Sequence, residues 1–345
     1  MKALILAGGQ GSGLVPLTLY TPKPLLPIGN YPLLLFQLNQ LKQAGITEVI
    51  LSLSYQPRLI REVFEDGANF GVLLRYHVET TPVGTAGALK VAEHLIDDTT
   101  VVMNGDVLTE MSIKHCLETH KQRGAQVTIA ACSVANPRSY GAVAVDKNSR
   151  VTGFIERPRG KEVRDNTINA GVYVVEPQVL DLIPQGKLFF FERDLFPILL
   201  KRRMPFFAEI VGQYWREITR PYNYLQSNMD FLTQKLSTPQ FLAFQKEHHP
   251  PANPLASVSE CSLIDEGCVI KPGVEISHSV IGSKCRIEEG AIIRNSVIWS
   301  GCRIQRNAFV SGSILGRGCL VGEGAEVHSG TILGDKSSLT SYCRT

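Results

Sequence analysis

The chain has 345 residues, 44% hydrophobic and 19% charged, with a formal net charge of +3, which suits two domains with a sizeable core. So weak a positive charge gives no argument for nucleic acid or an anionic membrane surface as partner. No apolar stretch approaches the roughly 20 residues of a membrane span, and the N-terminal apolar run stops at Gly8, too early for a signal peptide; the expected compartment is the cytoplasm.

The first apolar run, Ala3 to Ala7, reads as a strand that empties into Gly8, Gly9, Gly11 and Gly13 and then Pro16. A strand running into so many glycines lets a ligand approach the backbone. A phosphate there also wants a cation, yet no Lys or Arg lies between Gly8 and Thr18. Helix-like stretches follow at 33–45, 57–66, 86–95 and 113–124, and strand-like runs at 48–54, 72–79, 99–105 and 126–134. Strands alternating with helices of this length predict βαβ units and a mostly parallel sheet, whose ligands bind outside the carboxyl ends of the strands. The glycine loop and the Asn104-Gly105-Asp106 turn both belong at that rim.

Pro250 and Pro251 mark a connector over residues 236–260. The adjacent His248 and His249 within it are read as linker rather than metal ligands, because adjacent side chains rarely share an ion. After the connector the chain repeats every 17 residues. Aliphatic residues recur at spacings of 6, 6 and 5, from Ile264, Ile270 and Ile276 through to Leu315, Val321 and Val327, with a small residue two positions before each. This is the hexapeptide pattern of a parallel β-helix. Its coils bury their apolar rows only by stacking. Cys268, Cys285, Cys302 and Cys319 fall 17 apart at one small inward position. With no CxxC pair in the chain they are read as packing, not as a zinc or redox site. The expected domains are 1–235, a linker over 236–260, and the β-helix over 261–345.

LAGGQGSGLVPLTLYTPKPLLPIGNYP (6–32) resembles the N-terminal signature of the sugar-1-phosphate nucleotidyltransferases. ETTPVGTAGAL (79–89), NGD (104–106), YGAVAVD (140–146), FIERP (154–158), NAGVYV (169–174), FPILL (196–200) and GQYWREITRPYNYLQSN (212–228) follow in the family's order. By GTAGAL and the tail, the nearest group is the mannose-1-phosphate guanylyltransferases. The resemblance implies a Rossmann-like, mixed and mostly parallel α/β sheet followed by a left-handed β-helix. It implies transfer of a nucleotidyl group from an NTP, GTP favoured, to a sugar 1-phosphate, mannose 1-phosphate favoured. Mg²⁺ would be held by Asp106 and Glu217. Leu6, Ala7, Gly8, Gly9, Gly11, Ser12, Glu79, Gly84 and Thr85 would bind the nucleotide. Gly141, Glu156 and Asn169 would bind the sugar. Lys23, Asp106 and Arg157 would serve catalysis, Lys23 reaching phosphate and Arg157 facing the sugar phosphate. A homo-oligomer, or a hetero-oligomer with an active homologue, is also implied.

The chain departs from that pattern. Gly13 stands where the family carries arginine, Arg157 where lysine is usual, Glu217 where aspartate is usual, and Thr219-Arg220 where Gly-Thr is usual. Two readings stay open. In one the enzyme is active, with Arg216 or Arg220 replacing the lost loop cation. In the other the chain is a weak or inactive homologue that binds the NDP-sugar and regulates. On the first reading, restoring arginine at position 13 is expected to accelerate the reaction if the missing cation is what limits it.

Overall fold

The computed structural model describes residues 1–158, 166–212, 214–236 and 256–345. The connector expected over 236–260 lies largely outside the described residues, as do His248 and His249. Among the described residues no helix is long and apolar enough to cross a membrane. The chain divides into two compact units. The first is Met1–Gln10 with Leu34–Trp215, and the second is Gly11–Leu33 with Arg216–Thr345.

The first unit is built on a nine-stranded sheet. Strand Lys2–Leu6 lies between Glu48–Leu53 and Thr100–Asn104, parallel to both, with Leu6 opposite Ser52 and Asn104. These three strands carry near-continuous apolar runs, as strands of a parallel sheet covered on both faces do. Ala3, Leu4 and Ile5 are fully buried. Leu73–Val78 continues the parallel set. On the other side Thr167–Val175 runs against Thr100–Asn104, Val127–Ser133 and Gly141–Val145. Val151–Glu156 runs against Gly141–Val145, and Phe206–Ile210 runs parallel to Val127–Ser133. Seven strands therefore share one direction and two oppose it, so the mostly parallel mixed sheet is as expected. Helices Leu33–Gln43, Pro57–Phe64, Thr85–Val91 and Ile113–Gln122 fall within the predicted stretches to within a residue. An aromatic cluster fills the core beside the antiparallel strand. Tyr173 stacks on Phe191 at 4.6 Å, and Phe196 lies 5.0 Å from Phe206.

The second unit contains three parallel sheets of five short strands each, beginning at Ser257–Val258, Leu263–Ile264 and Val269–Ile270. Strands pair coil to coil at a shift of 17 residues through the middle of the β-helix and at 18 at its ends, where Ser257 pairs with Glu275, Ile314 with Ile332 and Leu320 with Ser338. The corners need left-handed backbone. Gly267, Gly301 and Gly318 supply it at one corner and Gly273, Gly290 and Gly324 at another, while Asn295 and Asn307 adopt φ of 48° and 55°. Glycine and asparagine tolerate that region; His278, Lys284, Lys336 and Tyr342 adopt it as well, at φ of 46°, 57°, 61° and 61°. Ser279, Ser296 and Ser313 are fully buried in one row. The amides of Ser296 and Ser313 each donate to the serine hydroxyl one coil earlier, at 3.1 and 3.2 Å. The cysteine row behaves as packing with a polar edge. All eight cysteines are free thiols. Those of Cys268, Cys285, Cys302 and Cys319 donate to the carbonyls of Gly282, Trp299, Gly316 and Gly334 at 3.0–3.2 Å.

Candidate active site

In the first unit the carboxyl ends of the central strands converge as the topology requires. Gly105 sits against the end of the first strand. Its N–H donates to the Leu6 carbonyl at 2.9 Å, and a Cβ there would lie 2.7 Å from that oxygen and 3.0 Å from the Ala7 Cα. Only glycine allows this approach, which brings Leu6, Ala7 and the Asp106 turn together. The Ala7 N–H donates to the Ser52 carbonyl at 2.9 Å. Gly8 is tight, since a Cβ would meet Ser54 at 3.2 Å, whereas around Gly9 there is open space. Ser52 Oγ donates to Glu79 Oε1 at 2.5 Å, which holds that carboxylate beside the strand facing Leu6.

Gly84 has φ +78°, and a Cβ there would lie 2.5 Å from the Phe189 carbonyl oxygen; the start of the next helix requires glycine. Thr85 Oγ1 accepts from the Phe191 N–H at 3.1 Å and donates to Glu192 Oε2 at 3.5 Å. The other Glu192 oxygen accepts from the Tyr173 hydroxyl at 3.1 Å, and that hydroxyl accepts from Asn169 Nδ2 at 2.9 Å. Asn169 Oδ1 takes the Gly171 N–H at 2.8 Å. Asn169, placed in the sugar set, and Thr85, placed in the nucleotide set, are thus two ends of one network through Glu192. The sequence reading missed both Tyr173 and Glu192. The one local signal was an acidic residue set in the apolar run FFFERDLF. Burial pushes the Glu192 carboxyl above its usual range, and the Glu156 charge adds to this. Burial also raises the Tyr173 phenol well above its ordinary value.

Gly141 and Glu156 are cross-strand partners, and a Cβ on Gly141 would sit 2.9 Å from Glu156 Oε2. Arg157 takes φ +48° at the end of that strand. Its exposed side chain places Nε 3.6 Å from Glu156 Oε1. Trp215 packs edge-on to Tyr140 at 5.2 Å and donates its indole N–H to the Ala170 carbonyl at 2.9 Å.

In the second unit Gly11 (φ +67°) opens a turn over Ser12–Leu14, and its carbonyl accepts from Thr18 Oγ1 at 2.8 Å. A Cβ on Gly11 would lie 3.5 Å from Lys23 Cε, so the loop and the Lys23 side chain are neighbours. Glu217 Oε2 accepts from Thr219 Oγ1 at 3.4 Å.

Gly13 corrects one expectation. A Cβ there would lie 2.4 Å from the Thr219 carbonyl oxygen and 3.9 Å from Arg220 Cδ. The place where a side chain would leave residue 13 is filled by backbone, so an arginine restored at 13 has no room and cannot simply return the cation. The Gly13 and Thr219-Arg220 departures form one packing pair. Of the two suggested replacements, Arg216 is committed elsewhere, with Nη2 and Nε on Asp230 Oδ2 at 2.6 and 3.1 Å. Arg220 is exposed next to the loop.

Residues 2–234 match the nucleotidyl transferase family, and residues 246–344 match the eIF2B subunit epsilon LbH (left-handed β-helix) domain. The chain belongs to the nucleotidyl transferase family. A nucleotidyltransferase moves a nucleotidyl group from a nucleoside triphosphate to an acceptor and releases pyrophosphate. The chain is 34% identical to the mannose-1-phosphate guanylyltransferase of Mycobacterium tuberculosis over 287 residues, 81% of this chain and 79% of that one. It is 37% identical to the mannose-1-phosphate guanyltransferase of Saccharomyces cerevisiae over 238 residues, 67% of this chain and 65% of that one. Among solved structures, HddC from Yersinia pseudotuberculosis complexed with GMP-PN superimposes with a TM-score of 0.56 at 29% identity, covering 67% of this nucleotidyltransferase and 99% of that chain.

Proposed function

We propose that the protein transfers the guanylyl group of GTP to mannose 1-phosphate, forming GDP-mannose and pyrophosphate. The names of its relatives support this donor and acceptor. A phosphate oxygen of the sugar phosphate forms a bond to the α-phosphorus of GTP as the bond from that phosphorus to the β-phosphate oxygen breaks. The acceptor brings its own anionic oxygen, so the protein needs no nucleophile. It must hold two polyanions in line and balance their charge.

The rim residues Leu6, Ala7, Gly8, Gly9, Gly11 and Ser12 serve the nucleotide, with Glu79, Gly84 and Thr85 at the base. Gly141, Glu156 and Asn169 serve the sugar. Lys23, beside the Gly11 loop, neutralises a phosphate of the nucleotide and Arg157 that of the sugar. Arg220 is the observation that carries the active reading. It is an exposed cation whose Cδ lies 3.9 Å from where a Cβ on residue 13 would stand, so it is placed to supply the charge that residue 13 lacks. The carboxylates of Asp106 and Glu217 are oxygen donors that suit Mg²⁺, and no group of three or more His, Cys, Asp or Glu is poised for an ion among the described residues. Those two acids would hold it together with water and phosphate oxygens. When bound, the ion screens the phosphate charge. Eight unpaired thiols fit a reducing cytoplasm. Self-association through the β-helix, or pairing with an active homologue, is part of the proposal and is measurable by light scattering.

The test is pyrophosphate release over a matrix of NTPs and sugar 1-phosphates. GTP with mannose 1-phosphate is expected to be the best pair, and Asp106→Ala to abolish release. Arg220→Ala is expected to lower kcat/KM by about 100- to 1000-fold, the cost of removing one donor to developing charge. No release with any pair, alongside calorimetric binding of GDP-mannose, overturns the enzyme in favour of a binding-only homologue.

A further inference from the structure

Residues 16–30 meet one corner of the β-helix on successive coils, in order. Pro16 lies against Gly334, where a Cβ would sit 3.0 Å from Pro16 Cβ. Arg317 Nη1 donates to the hydroxyl of the buried Thr21. Trp299 Nε1 donates to the Tyr224 hydroxyl at 2.8 Å, and that hydroxyl donates to the Pro27 carbonyl at 2.7 Å. Asn30 Nδ2 donates to the Ile281 carbonyl at 3.0 Å. As the segment climbs from 16 to 30, its partners descend from 334 to 281. All four partners stand at or just past the ends of strands in a single sheet: Ile332–Leu333, Ile314–Leu315, Val297–Ile298 and Val280–Ile281. Three coil steps span about 14 Å at the usual strand spacing.

Two partners break the repeat where they make these bonds. The places equivalent to Trp299 hold Gly282 and Gly316, and those equivalent to Arg317 hold Ser283 and Ser300. The Arg317 guanidinium also lies 5.2 Å over the Trp299 ring. Arg317 Nη1 also lies 3.9 Å from Asp335 Oδ2 within the β-helix, but the hydrogen bonds of the two side chains run to the 16–30 segment and to the tyrosine that holds it. Between the anchored Thr21 and Pro27 the chain is short and stiff. Pro22 and Pro24 flank Lys23, and the turn closes with Leu25 N–H to the Pro22 carbonyl at 2.8 Å and Leu26 N–H to the Lys23 carbonyl at 3.0 Å. Fixing both ends of that turn fixes the Lys23 backbone.

We propose that this corner of the β-helix is a positioning element for the nucleotide site, with Arg317 and Trp299 as the positioning residues that hold the Lys23 turn. The inference rests on the assignment of Lys23 to a phosphate of the nucleotide. The β-helix is then part of the machinery of the reaction and not only a module for assembly.

The experiment uses full-length Arg317→Ser, which installs the residue of the neighbouring coils, with Arg317→Lys and Trp299→Phe beside it. Arg317→Ser is expected to speed amide hydrogen exchange in residues 17–30 by about tenfold or more while β-helix protection is kept. It is also expected to raise KM for the nucleoside triphosphate by about tenfold, leaving KM for the sugar phosphate within about twofold. Arg317→Lys, which keeps a donor, restores both; Trp299→Phe, which loses the indole donor and part of the ring volume, shows a milder form of the same change. Unchanged exchange and unchanged KM overturn the proposal. So does an equal rise in both KM values with protection lost along the β-helix, because that is a purely structural effect. If the wild-type chain releases no pyrophosphate at all, the functional assignment fails by itself, and hydrogen exchange in the segment still decides the positioning role.

Discussion

Gly13 is occupied by its neighbour. The Thr219 carbonyl lies 2.4 Å from where a Cβ would stand, so Gly13→Arg is expected to destabilise the protein by about 1–3 kcal/mol, as overpacking does, and to lower pyrophosphate release. Gly13→Arg with Thr219→Gly is expected to recover part of both losses, because glycine lets that backbone step aside. Thermal melts and the release assay check this; a faster single variant would show that the loop yields. At the same scale, Glu192 joins Tyr173 to Thr85 with its carboxyl held above the usual range by burial. A raised folded-state value means that its contribution to stability is fully present below the ordinary carboxylate range and is lost as pH rises through the raised value. Glu192→Gln removes that titration. The variant is expected to gain stability on the wild type as pH rises above the ordinary carboxylate range, read as the difference in Tm at each pH; a pH-independent difference counts against it. The family resemblance proposes Asp106, Lys23 and Glu156 as chemistry-bearing residues from the sequence alone. Glu192 was not legible, because its partners lie 19 and 107 residues away and leave no local pattern.

Elements were more legible than contacts. The central strands are apolar on both faces, and helices Leu33–Gln43, Pro57–Phe64 and Ile113–Gln122 end within three residues of a glycine, so period and punctuation locate them. The β-helix was plainer still, because each coil repeats the same inward row. The row also limits what those positions accept. Cys302 is 1% exposed and stacked between Cys285 and Cys319, with its thiol on the Gly316 carbonyl. Cys302→Leu is expected to cost about 1–3 kcal/mol by overpacking. Cys302→Ala, which loses the thiol's bond and little volume, is expected to cost about 1 kcal/mol. Denaturant titration separates the two, and equal costs would mean that the interior of the coil is looser than its burial indicates.

Over the whole chain, sequence order and spatial grouping part company. Residues 11–33 lie near the N-terminus, yet they form one compact unit with residues 216–345. The bond from Arg317 to Thr21 spans 296 residues, and a contact at that separation has no periodicity for a sequence reading to find. The visible traces are only the two positions where the repeat is broken, Trp299 and Arg317. The grouping has a consequence for truncation. A chain ending at residue 236 keeps every motif that identifies the nucleotidyltransferase but loses Ile281, Trp299, Arg317 and Gly334. Tyr224, fully buried in the whole protein, then loses its indole partner, and the Lys23 turn loses its anchors. Misplacing a substrate-positioning group by about 1 Å costs on the order of 100-fold in rate. The shortened chain is therefore expected to retain at most about 1% of the activity and to be cut by protease within residues 11–33, where the full chain resists. Limited proteolysis and the pyrophosphate assay read the two effects separately. A truncated chain with full activity and an uncut loop would mean that the first 236 residues hold the loop without the β-helix.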